Sequence, residues 1–443
     1  MVKKPPSASK SNAKPPSRRA ATATASAKSP KPASAADETG PEQPLSPEGL
    51  RAHQTLLNIF NDAFAPALHL KSFTQRLQDV KQALYNRDFG AAFGREDFLE
   101  VYAARWSPTR ALCYAHVLRG IEGHLAALLV SHDGQRASGN GDAADGVGLT
   151  RECPGQIPDA EEIPDDGAEK PALRVLAIGG GAAETVAFGS YLSSLPTTTG
   201  EIHLLDTGPW GGIAQRLSAH LTTAPPISKY ASAAAKAANA ALVSPEDRLR
   251  VAFSQEDILA LDDAALARLL GPEPLLVTLL FTLNELYTGA GIAATTSFLR
   301  RLSAAVPAGS LLLVIDSPGS YSEAAVGRGG DREKKRYPMQ WLLDHTLLQE
   351  PRSGRKRQRQ RQEGVPAAND NDDGDADEKA DGGTDDKADA DAARTDCAVW
   401  EKLESADSVW FRLADGLRYP IRLEDMRYQM HLYRACPQID NRT

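Results

Sequence analysis

The chain has 443 residues, 42% apolar and 24% charged, with a formal net charge of −8. That length allows roughly two or three domains around a sizeable core, and no stretch approaches the roughly 20 apolar residues of a membrane-spanning helix, so a soluble protein is expected. The four cysteines, Cys113, Cys153, Cys397 and Cys436, form no CxxC and have no close His partner, which excludes a disulfide framework or zinc ribbon and suits a reducing compartment.

The average charge hides strong segregation. Residues 1–36 hold eight Lys or Arg and no acid in a Pro/Ala/Ser background, so 1–44 is expected to be a disordered basic arm. It would attract phosphate, or serve only solubility or a nuclear address. Segment 45–132 reads as helices. Leu56, Leu57, Phe60 and Phe64 recur at helical spacing, as do Ala111, Ala115, Leu118, Leu125 and Leu129. Ser107 suits an N-cap for the second set, with Pro108 at the first helical position. Residues 133–170 are rich in Gly, Ala, Asp and Pro and read as a low-complexity insertion.

Segment 171–350 alternates apolar runs with helical ones. Strands are expected at Leu173–Ile178, Ile202–Leu205, Leu249–Phe253, Leu275–Phe281 and Leu311–Ile315, with a helix through Phe298–Val306. Strand and helix in alternation predict a parallel, doubly wound α/β sheet, and near-continuous apolar strands agree, because such sheets are covered on both faces. Residues 351–396 open with six Lys or Arg between Arg352 and Arg361, then carry thirteen acids against three bases from Glu363 to Asp396. A disordered insertion is expected there. In 397–443 the period changes to two: Met426, Tyr428, Met430 and Leu432 alternate with more polar residues, and Val409–Leu413 supplies a partner, so a terminal antiparallel hairpin should complete the sheet.

Ligands of open α/β sheets bind beyond the carboxyl ends of the strands, where strand order reverses, and the polar clusters of this sequence fall at such ends. Gly179, Gly180 and Gly181 follow the first strand and let backbone approach a ligand closely. Asp206, ending the second, can accept both hydroxyls of a ribose. Asp257, after the third, can accept from an exocyclic amine. Together they describe an adenosine site. Both NAD and S-adenosylmethionine (SAM) contain adenosine. The dinucleotide fingerprint needs Gly or Ala where this chain has Glu184, and a carboxylate there would repel a pyrophosphate while tolerating a sulfonium. The methyl donor is therefore favoured, with Thr282 at the end of the fourth strand placed on its side.

Six stretches carry a family likeness: Leu84-Tyr-Asn-Arg-Asp88-Phe, Tyr102-Ala-Ala-Arg-Trp-Ser-Pro108, Val175-Leu-Ala-Ile-Gly-Gly-Gly181, Leu280-Phe-Thr-Leu-Asn-Glu-Leu286, Leu313-Val-Ile-Asp-Ser-Pro-Gly-Ser-Tyr321 and Met426-Arg-Tyr-Gln-Met-His-Leu-Tyr-Arg434. The chain resembles the fungal SAM-dependent methyltransferases that act as 25S rRNA uridine-N3 methyltransferases. The resemblance implies a class I (Rossmann-like) methyltransferase fold, SAM as cofactor, 25S rRNA in a pre-ribosomal particle as partner, and a nuclear, nucleolar setting. The 133–170 and 351–396 insertions look like embellishments on that pattern.

The mechanism follows from the substrate. In-line displacement at a sulfonium methyl needs alignment above all. A uridine N3 carries its proton at neutral pH and lies on the pairing edge, so it needs a base and an unpaired nucleotide. Glu285 is the candidate base and Asn284 the candidate orienter, unless both merely cap the following helix. Arg105 and Trp106 could hold phosphate and stack on a splayed base, or be a salt bridge and a core side chain. Tyr321 is a further stacking candidate, or only stiffens a flexible Ser-Pro-Gly-Ser loop. No metal-ligand spacing or nucleophile elbow is present, so neither metal nor covalent catalysis is expected. Methylation of a protein or small molecule, and a silent ribosome-assembly factor of the same fold, are the alternatives.

Overall fold

A computed structural model describes residues 45–137, 172–326, 333–348 and 400–437, all within the unit Pro44–Thr443; side chains of 130–137, 321–326 and 333–336 are outside the description. The expected basic arm, most of the 133–170 insertion and the whole 351–396 segment lie outside the described residues.

Six helices come first: α1 (Pro47–Leu68), α2 (Phe73–Tyr85), α3 (Phe89–Phe93), α4 (Glu96–Arg105), α5 (Ser107–Gly120) and α6 (Glu122–Ala137). The start of α1 is written in its sequence. The Ser46 side chain accepts from Gly49 N at 3.1 Å and Pro47 takes the first helical position, where a missing N–H costs nothing. Leu56, Leu57, Phe60 and Phe64 form its buried face. Two expectations shift. Trp106, not Ser107, caps α5, because α4 ends directly against it and leaves no room for a separate cap residue. The apolar run from Ala111 to Leu129 is also broken at Ile121 into two helices.

The rest follows as β1 (Ala172–Ile178), α7 (Ala182–Ser193), β2 (Thr199–Asp206), α8 (Gly211–Thr222), α9 (Ala233–Ala237), β3 (Leu249–Gln255), α10 (Asp263–Leu270) and β4 (Leu276–Leu280). Then come α11 (Leu283–Gly289), α12 (Gly291–Ala305), β5 (Leu311–Asp316), β6 (Tyr321–Val326), β7 (Glu333–Pro338), α13 (Met339–Leu347), β8 (Trp400–Phe411) and β9 (Met426–Ala435). One seven-stranded sheet has the order β3-β2-β1-β4-β5-β9-β8. β1 to β5 pair in parallel, while β9 runs antiparallel to both β5 and β8. This is the doubly wound sheet with a terminal antiparallel hairpin expected of a class I methyltransferase. β6 and β7 form a separate hairpin, which a strand opening with the charged residues Glu333, Lys334 and Lys335 did not announce. β8 is longer than its VWF core implied: it is an edge strand, where charged residues such as Glu401 remain in water.

Alternation along the strands divides the core in two. Val175, Ala177, Leu204, Leu280 and Leu313 face α1, α4, α5, α7 and α8. Leu176, Ile178, Leu205, Val277, Leu279 and Val314 face α10, α12 and α13. The central strands β4 and β5 are buried at every residue, so their unbroken apolar sequences reflect cover on both faces. The β8–β9 connection reaches back over the N-terminal helices: Arg418 N donates to Gln54 Oε1 at 2.8 Å, and Tyr419 Oη to Ala104 O at 2.8 Å. Among the described residues no helix is long and apolar enough to cross a membrane.

At the edge of the sheet away from the candidate site, buried Arg248 donates to Leu192 O at 3.0 Å, Thr198 O at 3.2 Å and Ser244 O at 3.0 Å, and also to Leu195 O. It satisfies carbonyls at the end of α7 with a cation, where the helix dipole favours one. Arg248→Ala should cost roughly 2–4 kcal/mol in chemical denaturation, since buried acceptors lose a charged donor, while ligand affinity at the opposite edge stays unchanged.

Candidate active site

Strand order reverses between β1 and β4, and their carboxyl ends part to open a crevice. Gly179 turns the chain there with φ +68°, and its amide continues the ladder to Leu205 O at 2.8 Å. A Cβ on Gly179 would lie 2.2 Å from Thr282 Oγ1, and one on Gly181 would lie 2.9 Å from the Trp210 ring. Glycine is therefore required by contact as well as by φ at 179, and by contact at 181. Thr282 Oγ1 donates to Ile178 O at 3.1 Å, tying the two strand ends together.

Gly179, Gly181, Asp206, Thr282 and Glu285 line one cleft of about 440 Å³, and Gly180 sits within the same turn. The Asp206 carboxylate is aimed by Gly208 N at 2.6 Å and by the Trp210 side chain, which leaves acceptor capacity toward the crevice. Glu285 stands in the first turn of α11. Its neighbour Asn284 donates its backbone N–H to Asp316 Oδ2 at 2.9 Å. Asp316 also accepts from Ser317 N at 2.7 Å and Ser320 Oγ at 3.4 Å, so the Ser-Pro-Gly-Ser segment is a hydrogen-bonded turn with Gly319 at φ +72°, not a loose loop.

Other expected residues fall elsewhere. Asp257 is exposed and its Oδ1 accepts from Leu259 N at 2.9 Å, away from the cleft lining. Arg105 is buried and pairs with Glu424 at 2.7 Å, and Trp106 packs on the core; neither lines the cleft. The Tyr321 side chain lies outside the described residues.

The cleft also contains Arg110, which the sequence reading did not single out, and Glu184, which it used only to choose between cofactors. Arg110, from α5, donates to Tyr102 Oη and lies over the Phe281 ring at 4.4 Å. It is the one cation among the cleft-lining residues. Its signal was available: it is the lone charge between Ser107 and Ala115 in a helix that is otherwise buried nearly all round, and such charges persist only with partners. Glu184 Oε2 accepts from Gly181 N at 2.8 Å, bracing the glycine turn.

The electrostatics of the cleft are lopsided. Burial pushes the Glu184 carboxyl above its ordinary value. Burial pushes Asp206 up to about 6 and Asp316 up to about 6. Glu285 is pushed up to about 8 by burial, with Asp206 and Asp316 adding to the rise and Arg110 opposing it. Burial also works against the Arg110 charge, but Tyr102, Tyr114, Glu184 and Glu285 more than offset it and keep it protonated. Several carboxyls therefore face one guanidinium, and such a site favours a ligand with positive charge. Among the described residues no group of three His, Cys, Asp or Glu could hold a metal.

A family model described as "Putative SAM-dependent methyltransferase" matches residues 60–434. The chain belongs to this family. A relative, the 25S rRNA (uridine(2843)-N(3))-methyltransferase of Saccharomyces cerevisiae, is 26% identical over 86% of this chain and 85% of its own. Similar solved structures include the N-methyltransferase NodS from Bradyrhizobium japonicum (11% identity, 60% of this chain, 86% of that one, TM-score 0.23). The CcbJ methyltransferase from Streptomyces caelestis is another (14% identity, 60% and 90% coverage, TM-score 0.24). The strand order carries the fold assignment.

SAM, the cofactor of the family, fits what the cleft offers. The glycine turn would admit its backbone contacts, Asp206 has free acceptor capacity for the ribose, and the carboxyl surplus suits a sulfonium. Two outcomes are expected by calorimetry. Asp206→Asn should weaken SAM binding by roughly tenfold or more and Asp257→Asn by less than about threefold, given roughly 1.5–3 kcal/mol for a charged hydrogen bond. Raising pH from about 6 to 8.5 ionises these carboxyls, so SAM affinity should rise with pH and release protons, while S-adenosylhomocysteine, whose sulfur is neutral, should gain less.

Proposed function

We propose that this methyltransferase transfers a methyl group to N3 of a uridine in large-subunit (25S) ribosomal RNA, working on the pre-ribosomal particle in the nucleolus. The observation that supports it most is Glu285: a carboxyl in the donor cleft, in the first turn of α11, whose pKa is raised to about 8. An imide N–H needs a base with a proton affinity near the operating pH, and a carboxylate at its ordinary value would be too weak. The similarity to a uridine-N3 methyltransferase over most of both chains supports the choice of base and RNA.

When bound, SAM supplies a methyl carbon made electrophilic by the attached sulfonium. The residues of this chain do the rest. Glu285 takes the N3 proton. Asn284, whose backbone is pinned to Asp316 and which lies beside Glu285 but not in the cleft lining, would orient the edge of the base once its side chain turns toward the cleft. Arg110 lies in the same cleft, where its charge would counter the negative charge that develops on the uracil ring. The aromatic rings of Phe93, Tyr102 and Phe281 line the cleft and limit water near the carboxyls. The basic arm, outside the described residues, would add sequence-independent phosphate attraction or act as an address.

Glu285 must be ionised to act, so kcat/KM should rise with pH toward a limb near 8. Glu285→Gln should abolish that limb and lower kcat at saturating SAM by roughly 100-fold or more. The same substitution has a stability signature of known sign. A carboxyl whose folded pKa is raised from 4.5 to about 8 costs the fold stability as pH climbs through that window. The ligand-free Glu285→Gln variant should therefore melt higher than the parent at pH 8.5 and similarly at pH 5. Unchanged turnover would remove Glu285 from the role of base. The substrate is tested by mass spectrometry of nucleosides from rRNA incubated with the enzyme and SAM: N3-methyluridine is expected, and methyl on protein alone would overturn the RNA reading.

A further inference from the structure

The β6–β7 hairpin and α13 leave the sheet beside the cleft, and the mechanism above makes no use of them. On its inner face α13 buries Met339, Leu342, Leu343 and Leu347. Asp344 is clamped by Lys402 Nζ at 2.9 Å and Tyr433 Oη at 2.7 Å, which fixes the helix on β8 and β9. On its outer face Trp341 is 49% exposed. The indole stacks with Tyr337 at the end of β7, ring centroids 5.4 Å apart and planes 24° apart. It stacks again with His345, one helical turn on, at 4.9 Å and 10°. Near-parallel rings with centroids this far apart overlap only in part, and both Trp341 and His345 are exposed. The residues that precede Tyr337 along β7 are Lys334, Lys335 and Arg336.

A short chain of hydrogen bonds runs from the first residue of α13 to the backbone of Asn284, the neighbour of the candidate base. Met339 N donates to Ser320 O at 2.9 Å. Ser320 Oγ donates to Asp316 Oδ1 at 3.4 Å, and Asp316 Oδ2 accepts from Asn284 N at 2.9 Å, next to Glu285.

We infer that the Tyr337–Trp341–His345 column is a stacking platform for unpaired RNA bases flanking the methylated nucleotide; the inference rests on the RNA reading above. A target whose pairing edge is methylated must be unpaired, and its neighbours then lose stacking partners. Parallel, part-open rings on a rigid helix restore that stacking without regard to base identity. The basic run of β7 supplies the charge that complements a phosphate backbone. A second copy of the chain would gain from the rings but would have no use for the basic Lys334-Lys335-Arg336 sequence that leads into them.

The test uses the full chain and a labelled single-stranded oligouridylate, read by fluorescence anisotropy at fixed salt. Trp341→Ala should raise Kd roughly tenfold and Trp341→Phe less than about threefold, in keeping with base–aromatic stacking. SAM affinity should not change in either variant, and neither should the slope of log Kd against log salt, because no phosphate contact is lost. Equal RNA affinity of Trp341→Ala and the parent overturns the inference, as does a Trp341-dependent dimer in light scattering with RNA binding intact. The uridine-N3 reading fails separately. Trp341-dependent RNA binding without N3-methyluridine leaves the platform standing, whereas normal rRNA methylation with Trp341-independent binding and KM removes the platform alone. A parent chain that binds no RNA removes both.

Discussion

The site exists because two parallel strands with opposite onward directions lie side by side. From β1 the chain proceeds to β2 and β3, and on the other side β4 proceeds to β5. Connections leave these strand ends toward different sides, and no segment of sheet fills the gap between them. The contact that closes the bottom of the gap is Thr282 against Gly179, with no space for one extra carbon. Thr282 also holds Ile178 O. That contact fixes how far apart the glycine turn and the start of α11 stand, and with them the supports for a cofactor and for Glu285.

On that frame the cleft carries more negative charge than it can neutralise internally. Carboxyls buried without matching cations destabilise a fold, and this one answers by binding protons, as the raised values of Glu184, Asp206, Glu285 and Asp316 record. One imbalance serves two purposes. It leaves a place for a cationic donor, and it makes Glu285 a stronger base than an ordinary carboxylate. Arg110 limits the imbalance without cancelling it, since a guanidinium in direct ion pairs with Glu184 and Glu285 would return both to ordinary acidity. Instead it is held by Tyr102 and the Phe281 ring.

The sheet was legible because its strands are covered on both faces. Leu173–Ile178 and Leu311–Ile315 could be nothing but interior, and their ends pointed to Gly179–Gly181 and Asp316. The placement of Asp206 at the cleft was legible for the same reason, as a polar residue that terminates an apolar strand, and Glu285 follows β4 closely enough to share that end of the sheet. What escaped had no periodicity to reveal it. β6 and β7 carry Ser, Glu, Lys and Arg in a hairpin apart from the main sheet, and β8 is an edge whose charges remain solvated. Asp257 looked like a strand-end residue, but it lies two residues past the end of β3, where its Oδ1 accepts from Leu259 N and the side chain is exposed. For Arg105 and Trp106 the sequence left two readings open, and the structure has the salt bridge and the core side chain; the ion-pair partner, Glu424, lies more than 300 residues further on, where no local pattern could show it.

The two faces of the sheet contribute different halves of the chemistry. Arg110 and Tyr102 come from helices packed on one face, within the core that holds Phe60, Leu112 and Phe188. Glu285 comes from α11, whose Leu283 and Tyr287 belong to the other. The residue that joins them is Phe281, the last before the crevice, whose φ of +61° is costly for a side chain of that size. Its amide donates to Ile315 O at 2.7 Å while its ring turns up beneath Arg110. With φ in the ordinary β range the chain would continue along the sheet. The left-handed residue ends β4 and starts α11 over the crevice, bringing the base from one layer up to the guanidinium of the other. Distances in the site are thereby set by the thickness of a packed sheet and by one strained residue, and they do not depend on where a surface loop happens to lie.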